Sequence, residues 1–268
     1  MTAEGAVVIG WPQLLLAASF MLITGALSVA IGLGLVKDLA VASVRTYVQL
    51  LALGLVLRWV FSVRLWWVVV VLLGVMTVVA TRIVVKRAPD APGGLFGSAL
   101  FSMAITAITV TFAVTALIVR VPVWYEPRYV IPIAGMVLGN SMTGIALALE
   151  RLFSDLDSRT GEILALTALG ADRWEAARAS VRMALRAGLI PTINSMAAAG
   201  IVFIPGMMTG QVLAGADPLE ATKYQIVVML MVSAATAIGS ILAVMLSYRR
   251  AFTADGVFLE KGLRGPAS

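Results

Sequence analysis

With 268 residues, 60% of them hydrophobic and 13% charged, and a mean hydropathy of +0.99, the chain is too apolar to cover a water-facing surface; a soluble domain is about one-half apolar and one-quarter charged. It contains neither Cys nor His, which excludes disulfides, thiolate or imidazole metal sites, and Cys–His or Ser–His–Asp catalysis. The net charge is +6, and its placement along the chain fits membrane topology rather than a nucleic-acid partner.

Met1–Gly5 has no basic residue, so no cleaved signal peptide is expected and the first apolar segment reads as an anchor. About 20 apolar residues cross a bilayer as a helix. The qualifying segments are Trp11–Val36, Leu39–Phe61, Leu65–Val85, Leu95–Val119, Tyr129–Leu149, Leu189–Ala214 and Thr222–Tyr248. The expected fold class is all-α, a polytopic integral membrane protein of about seven transmembrane helices forming one domain over residues 1–268. Placing the N-terminus outside leaves only Arg58, Arg64, Arg120, Arg128 and Lys223 on the outer side, with the other Lys and Arg inside, as the positive-inside rule favours. Trp11, Trp59, Trp66, Trp67 and Trp124 then fall at outer helix ends with Tyr125, Tyr129 and Tyr224, as an aromatic belt. The expected location is the plasma membrane, multi-pass, N-terminus outside and C-terminus cytoplasmic.

The connection from Glu150 to about Gly188 is too polar to span and too long for a turn. Gly170 is expected to break it into two short helices meeting near Gly170-Ala171-Asp172. In the second, Trp174, Ala177, Val181 and Ala184 recur at helical spacing, and Arg178, Arg182 and Arg186 stack on another face. An aromatic anchor ringed by arginines suits a docking surface for a cytosolic motor protein. The alternative is a helix lying on the anionic inner leaflet. Leu169-Gly170-Ala171, Trp174, Val181 and Pro191 also resemble the tail of the EAA loop of ABC importer permeases, although Leu164 stands where that loop has its glutamate and Glu162 lies two residues earlier.

The fifth and sixth spans carry similar runs, Ile131 to Met142 and Ile204 to Gln211, each with a proline, methionines and a GxxxG pair: Gly135 and Gly139, and Gly206 and Gly210. Proline kinks a span and GxxxG admits a neighbouring helix closely. These runs are expected to shape a pathway or a dimer seam, with plain helix packing as the default. Asn140, Asn194, Gln49, Gln211 and Gln225 at membrane depth should face protein or a cavity. The 13 Met residues read first as apolar filler. No G-x-x-x-x-G-K-[ST] run is present, so this chain does not hydrolyse ATP by a P-loop.

Ile131-Pro132-Ile133-Ala134-Gly135-Met136, Gly139-Asn140, Leu189-Ile190-Pro191-Thr192-Ile193, Pro205-Gly206-Met207-Met208-Thr209-Gly210 and Lys223-Tyr224-Gln225-Ile226, together with the Arg45–Val63 stretch, resemble the FetB family, the permease subunits of ABC transporters linked to iron export in bacteria. Similar plant proteins are associated with aluminium tolerance. The resemblance implies a homodimeric permease that works with a separate cytosolic ABC ATPase subunit; with no P-loop, the chain itself is not expected to be an enzyme, and no cofactor is expected. It places ATPase coupling within Leu169–Arg186. On this reading the coupling residues are Gly170, Asp172, Trp174, Arg178 and Arg182. The transport pathway is expected at Met136, Asn140, Asn194, Met207, Met208 and Gln211. The rival expectations are a stand-alone channel or ion-coupled carrier, for which internal repeats and a buried mid-membrane charge would speak, and a non-transporting scaffold.

Overall fold

A computed structural model describes residues 10–63, 65–89, 91–253 and 255–259. Met1–Gly5, Arg64, Lys261 and Arg264, used in the topology argument, lie outside them. Among the described residues the secondary structure is helical, apart from two isolated bridges. Among the described residues, six helices are long and apolar enough to cross a membrane. The described residues fall into two units.

The smaller unit contains α1 (Trp11–Ala30) and α2 (Val36–Val63). A tight turn joins them, with Gly32 and Gly34 at φ +70° and +69°, a region open to glycine at little cost. Ser28 Oγ accepts from Leu35 N across the turn (3.1 Å), and Tyr47 Oη donates to the Leu14 carbonyl (2.7 Å). The pair is therefore an antiparallel hairpin. Its apolar side chains, such as Leu15, Leu22 and Leu55, are exposed, as suits a lipid-facing surface. Residues 210–216 group with this unit.

The larger unit is built around α5 (Pro127–Ser158), which packs against α3 (Trp66–Lys86), α4 (Leu95–Phe112), α7 (Arg173–Ala198) and α9 (Pro218–Ser247). A short π-helical stretch, Ala113–Ile118, prolongs α4. At 1.5 Å per residue the 32 residues of α5 measure about 48 Å, longer than a hydrocarbon core of about 30 Å. The fifth span therefore continues past Leu149 as helix, before α6 (Thr160–Ala168) begins. Thr77, Thr81, Ser102 and Thr115 each donate to the carbonyl four residues earlier, so these four hydroxyls are satisfied within their own helix at membrane depth.

Leu189–Ala214 is not one span. Its first part is the C-terminal end of α7, then residues 199–205 are irregular, and α8 (Gly206–Leu213) follows. Gly200 has φ +80°, and Pro205 directly precedes α8. The polar connection expected to end at about Gly188 and the span expected from Leu189 are not separate elements. The helix entered at Arg173 runs on through Gly188 and Pro191 to Ala198, 26 residues in all. The reason is packing: Ala177, Val181, Ala184 and Gly188 form one buried stripe that continues across the position where the polar segment ends in sequence.

Candidate functional site

Two features converge on α7. The first is a half-open cavity of about 330 Å³ in the larger unit, walled by α5, α7, α9, the irregular stretch and the start of α8. From α5 come Met136, Asn140, Thr143 and Gly144; from α7, Gly188, Pro191, Thr192 and Ser195. Phe203, Pro205, Gly206 and Met207 close one side, and Gln225, Val228, Met229 and Val232 of α9 another.

Of the residues expected on the pathway, Met136, Asn140 and Met207 come together here. Asn194 is exposed on α7 and does not line the cavity. Met208 also stands outside it, where its Sδ accepts from Thr222 Oγ1 at 3.8 Å; it packs on α9. Gln211 lies on α8 within the smaller unit and is likewise no part of the lining.

Among the described residues, none that lines the cavity is charged. Asn140 Nδ2 donates to the Met136 carbonyl (2.8 Å) and Thr143 Oγ1 to the Gly139 carbonyl (3.2 Å). Gln225 is 8% exposed, and among the described residues its Oε1 meets no hydrogen-bond donor.

The expected GxxxG pairs are not where helices approach most closely within this chain. A Cβ on Gly139, Gly206 or Gly210 would meet nothing within 4 Å, and one on Gly135 only Met76 Cε at 3.6 Å. The tight crossing is at Gly144 and Gly188 instead, with Ser240 of α9 beside both. Sequence reasoning missed both residues because they share no motif. The available signal was the four-residue recurrence Ala184, Gly188 that extends the apolar face of α7.

The second feature is the polar end of the same helix. The connection between α6 and α7 presents Leu169, 87% exposed, beside Gly170 at φ +92°, a conformation that calls for glycine. Asp172 caps α7: its Oδ1 accepts from Glu175 N (2.7 Å), and Glu175 Oε2 accepts from Asp172 N (3.0 Å), a capping box. Trp174 is 42% exposed, its ring set edge-on to Tyr248 at 5.9 Å. It therefore anchors the start of α7 on the end of α9 while offering part of its ring outward. Arg178, Arg182 and Arg186 are all exposed on one face.

Arg159 ties this end together. Its Nε donates to Glu162 Oε2 (2.9 Å), its Nη1 approaches Asp155 (3.7 Å), and the same nitrogen donates to Ser180 Oγ of α7 (3.4 Å). The hydrogen bond from Arg159 holds the Glu162 carboxyl below the ordinary carboxylate range. Arg250 makes a second such link, donating from Nε to Ser98 Oγ (3.0 Å) at the start of α4. Among the described residues there is no group of three or more acidic side chains that could hold a metal ion.

Residues 11–252 match the uncharacterised protein family UPF0014. A UPF0014 membrane protein of Synechocystis sp. is 39% identical over 245 residues, covering 91% of this chain and 92% of that protein. "Probable iron export permease protein FetB" of Escherichia coli K12 is 34% identical over 220 residues, 81% of this chain and 83% of the relative. "Protein ALUMINUM SENSITIVE 3" of Arabidopsis thaliana is 34% identical over 228 residues, 85% and 82% respectively. No solved structure matches the chain.

Proposed function

The chain belongs to the UPF0014 family of membrane proteins, and from that premise we propose that it is the membrane-spanning permease subunit of an ABC-type transporter, moving a metal cation, iron in the first instance, out of the cytoplasm. ATP is hydrolysed by a separate cytosolic subunit, the permease works as a homodimer in the plasma membrane, and the N-terminus is outside. Iron comes from the name of the Escherichia coli relative; the absence of a P-loop assigns the hydrolysis elsewhere.

The observation that carries the reading is the continuity of α7. Its first half bears the exposed face of Arg178, Arg182 and Arg186, and its second half supplies Pro191, Thr192 and Ser195 to the cavity wall. From Arg178 to Thr192 is about 21 Å of unbroken helix. A push from a docked ATPase at one end is delivered to the cavity at the other through a single rigid element. The cap on Asp172 and the Trp174–Tyr248 contact stiffen the driven end. Energetics agree: exporting a divalent cation against an inside-negative potential costs about 4.6 kcal/mol per 100 mV, at about 2.3 per charge. A passive pore could not supply that.

The test is affinity capture of the tagged chain in mild detergent, together with ATP-dependent iron efflux into vesicles. The expected result is that an ABC ATPase accompanies wild type, is lost on Trp174→Ala with Arg178→Glu, and supports efflux. Iron flux through the purified chain without ATP would instead establish a channel or carrier.

A further inference from the structure

Three hydroxyls where α4, α5 and α9 cross lack the partner that their neighbours have. Thr106, Thr236 and Ser240 are fully buried, and none of their oxygens meets a hydrogen-bond partner among the described residues. One turn away on α4, Ser102 donates to the carbonyl four residues earlier, the usual resting place of a hydroxyl at membrane depth. The corresponding carbonyls for the three are those of Ser102, Val232 and Thr236, each one side-chain rotation away.

Packing holds them off. The Thr236 methyl is lodged against Gly144 of α5, in the space that a Cβ there would need. Turning the side chain to bring Oγ1 onto the Val232 carbonyl swings that methyl out of the contact. Ser240, one turn on, sets its Oγ beside both Gly144 and Gly188. Between them Gly239 brings α9 so near α4 and α5 that an added Cβ would stand 3.3 Å from Thr106 Oγ1 and 2.9 Å from Ile145 Cδ1. A buried hydroxyl without a partner is costly, whereas replacing it by an apolar group of the same shape is neutral or stabilising. Close packing and satisfied hydroxyls therefore compete at this one crossing.

Resting on the transport reading above for its use, we propose that the crossing is a two-state switch. The state in this structure is tight at the glycines and leaves Thr106, Thr236 and Ser240 unpartnered. In the second state α9 stands off from Gly144 and Gly188, and Thr236 and Ser240 turn back onto their own helix. Each state gains what the other gives up, so the two are close in free energy and a modest bias decides between them. The bias arrives through α7, which carries Gly188 at the crossing and Pro191 and Thr192 at the cavity wall.

Thr236 tests this, because its methyl and its hydroxyl can be removed one at a time. Thr236→Val keeps the shape and removes the hydroxyl; Thr236→Ser keeps the hydroxyl and removes the methyl. The chain has no Cys, so spin labels on Ile190→Cys of α7 and Ile241→Cys of α9, both exposed, report the distance between these helices in the purified full chain. Two distance populations are expected. Thr236→Val should shift their ratio toward the tight state by about tenfold and raise the melting temperature by about 2–4 °C, a gain that misfolding cannot produce. Thr236→Ser should shift the ratio the other way and lower the melting temperature. Thr236→Val should also slow ATP-driven iron efflux from vesicles holding the ATPase, with ATPase capture unchanged. The proposal is overturned if Thr236→Val lowers the melting temperature, which would give its hydroxyl a partner in this state, or if neither variant moves the distance distribution. Failure of the transport reading looks different: wild type then shows no ATP-driven efflux, while the opposite shifts of the Val and Ser variants still support the switch.

Discussion

Gly144 of α5 and Gly188 of α7 meet backbone to backbone: a methyl group on Gly188 would stand 2.6 Å from the Gly144 carbonyl oxygen, and one on Gly144 would stand 3.1 Å from the Gly188 carbonyl oxygen. Ser240 Oγ of α9 is 3.3 Å from both added positions. Three helices thus cross at a point with no room for a side chain, and both glycines line the cavity. In the proposed transmission along α7 this crossing is the fulcrum. The arginine-bearing arm lies on one side of it and the cavity-lining arm on the other.

Substituting the fulcrum separates it from ordinary glycines. Gly188→Ala is expected to destabilise by about 1–3 kcal/mol through overpacking, read as a lower melting temperature in detergent. Gly139→Ala, where an added Cβ meets nothing within 4 Å, is expected to be neutral or to stabilise by up to about 1 kcal/mol, the usual gain from replacing a helical glycine. Equal effects at the two positions would remove the crossing from the argument. A variant of Gly188 that still captures the ATPase but transports poorly would place the defect in transmission rather than docking.

Much of this architecture was legible in the sequence. The long apolar segments, the break at Gly170 and the buried face of Ala177, Val181 and Ala184 follow from hydropathy and helical period, because burial and lipid exposure act on every residue of a segment. The continuity of α7 was not legible. Arg178, Arg182 and Arg186 lower the hydropathy of the helix without disturbing its backbone, and hydropathy cannot see that polar and apolar stretches share one helix. The cavity was only half legible. Met136, Asn140 and Met207 sit in composition-rich runs, whereas Thr143, Gly188 and Ser195 gain their roles from three-dimensional crossing alone. Asn194 shares α7 with Ser195 but is exposed and does not line the cavity.

Asp172 is a helix cap as well as a residue of the proposed docking end, and the two roles make different predictions. Asp172→Ala removes the capping box and is expected to cost about 1 kcal/mol. Asp172→Ser keeps a capping oxygen and removes the charge. If Ser restores both stability and ATPase capture, capping is the whole of its contribution. If Ser restores stability but not capture, the carboxylate itself meets the partner.

Trp174 is expected to act through Tyr248 first. A double-mutant cycle between Trp174→Ala and Tyr248→Ala should give a coupling of about 0.5–1.5 kcal/mol in thermal stability, the usual range for an edge-on aromatic pair. A coupling near zero would mean that the contact does not hold the start of α7, and the stiff-lever argument would lose one of its supports.

The arginine face makes a prediction about salt. Arg178, Arg182 and Arg186 are exposed and aligned, so any attraction they provide to an acidic groove is screened over about 8–10 Å at ordinary ionic strength. ATPase capture is expected to weaken steadily as salt is raised. Arg178→Glu with Arg182→Glu should abolish it at low salt while leaving the melting temperature within a few degrees. Capture that is insensitive to both salt and charge reversal would assign this face to lipid headgroups, and binding to anionic vesicles would then be lost in the same variant.

The pH dependence of stability follows from composition and from one ion pair. With no His and no Cys in the chain, no side chain of ordinary pKa changes charge between about pH 6 and 8. Glu162 is held below the ordinary carboxylate range by its hydrogen bond from Arg159. A depressed folded-state pKa contributes stability that is fully present above the unfolded value and is lost only as pH falls through the folded one. The melting temperature in detergent should therefore be flat from about pH 6 to 8 and decline only on the acid side. Glu162→Gln should lower the plateau slightly and flatten part of the acid decline, since the ion pair that titrates is gone. A marked rise or fall in stability around neutral pH would contradict this, and would point to a carboxylate at membrane depth whose protonation is coupled to folding.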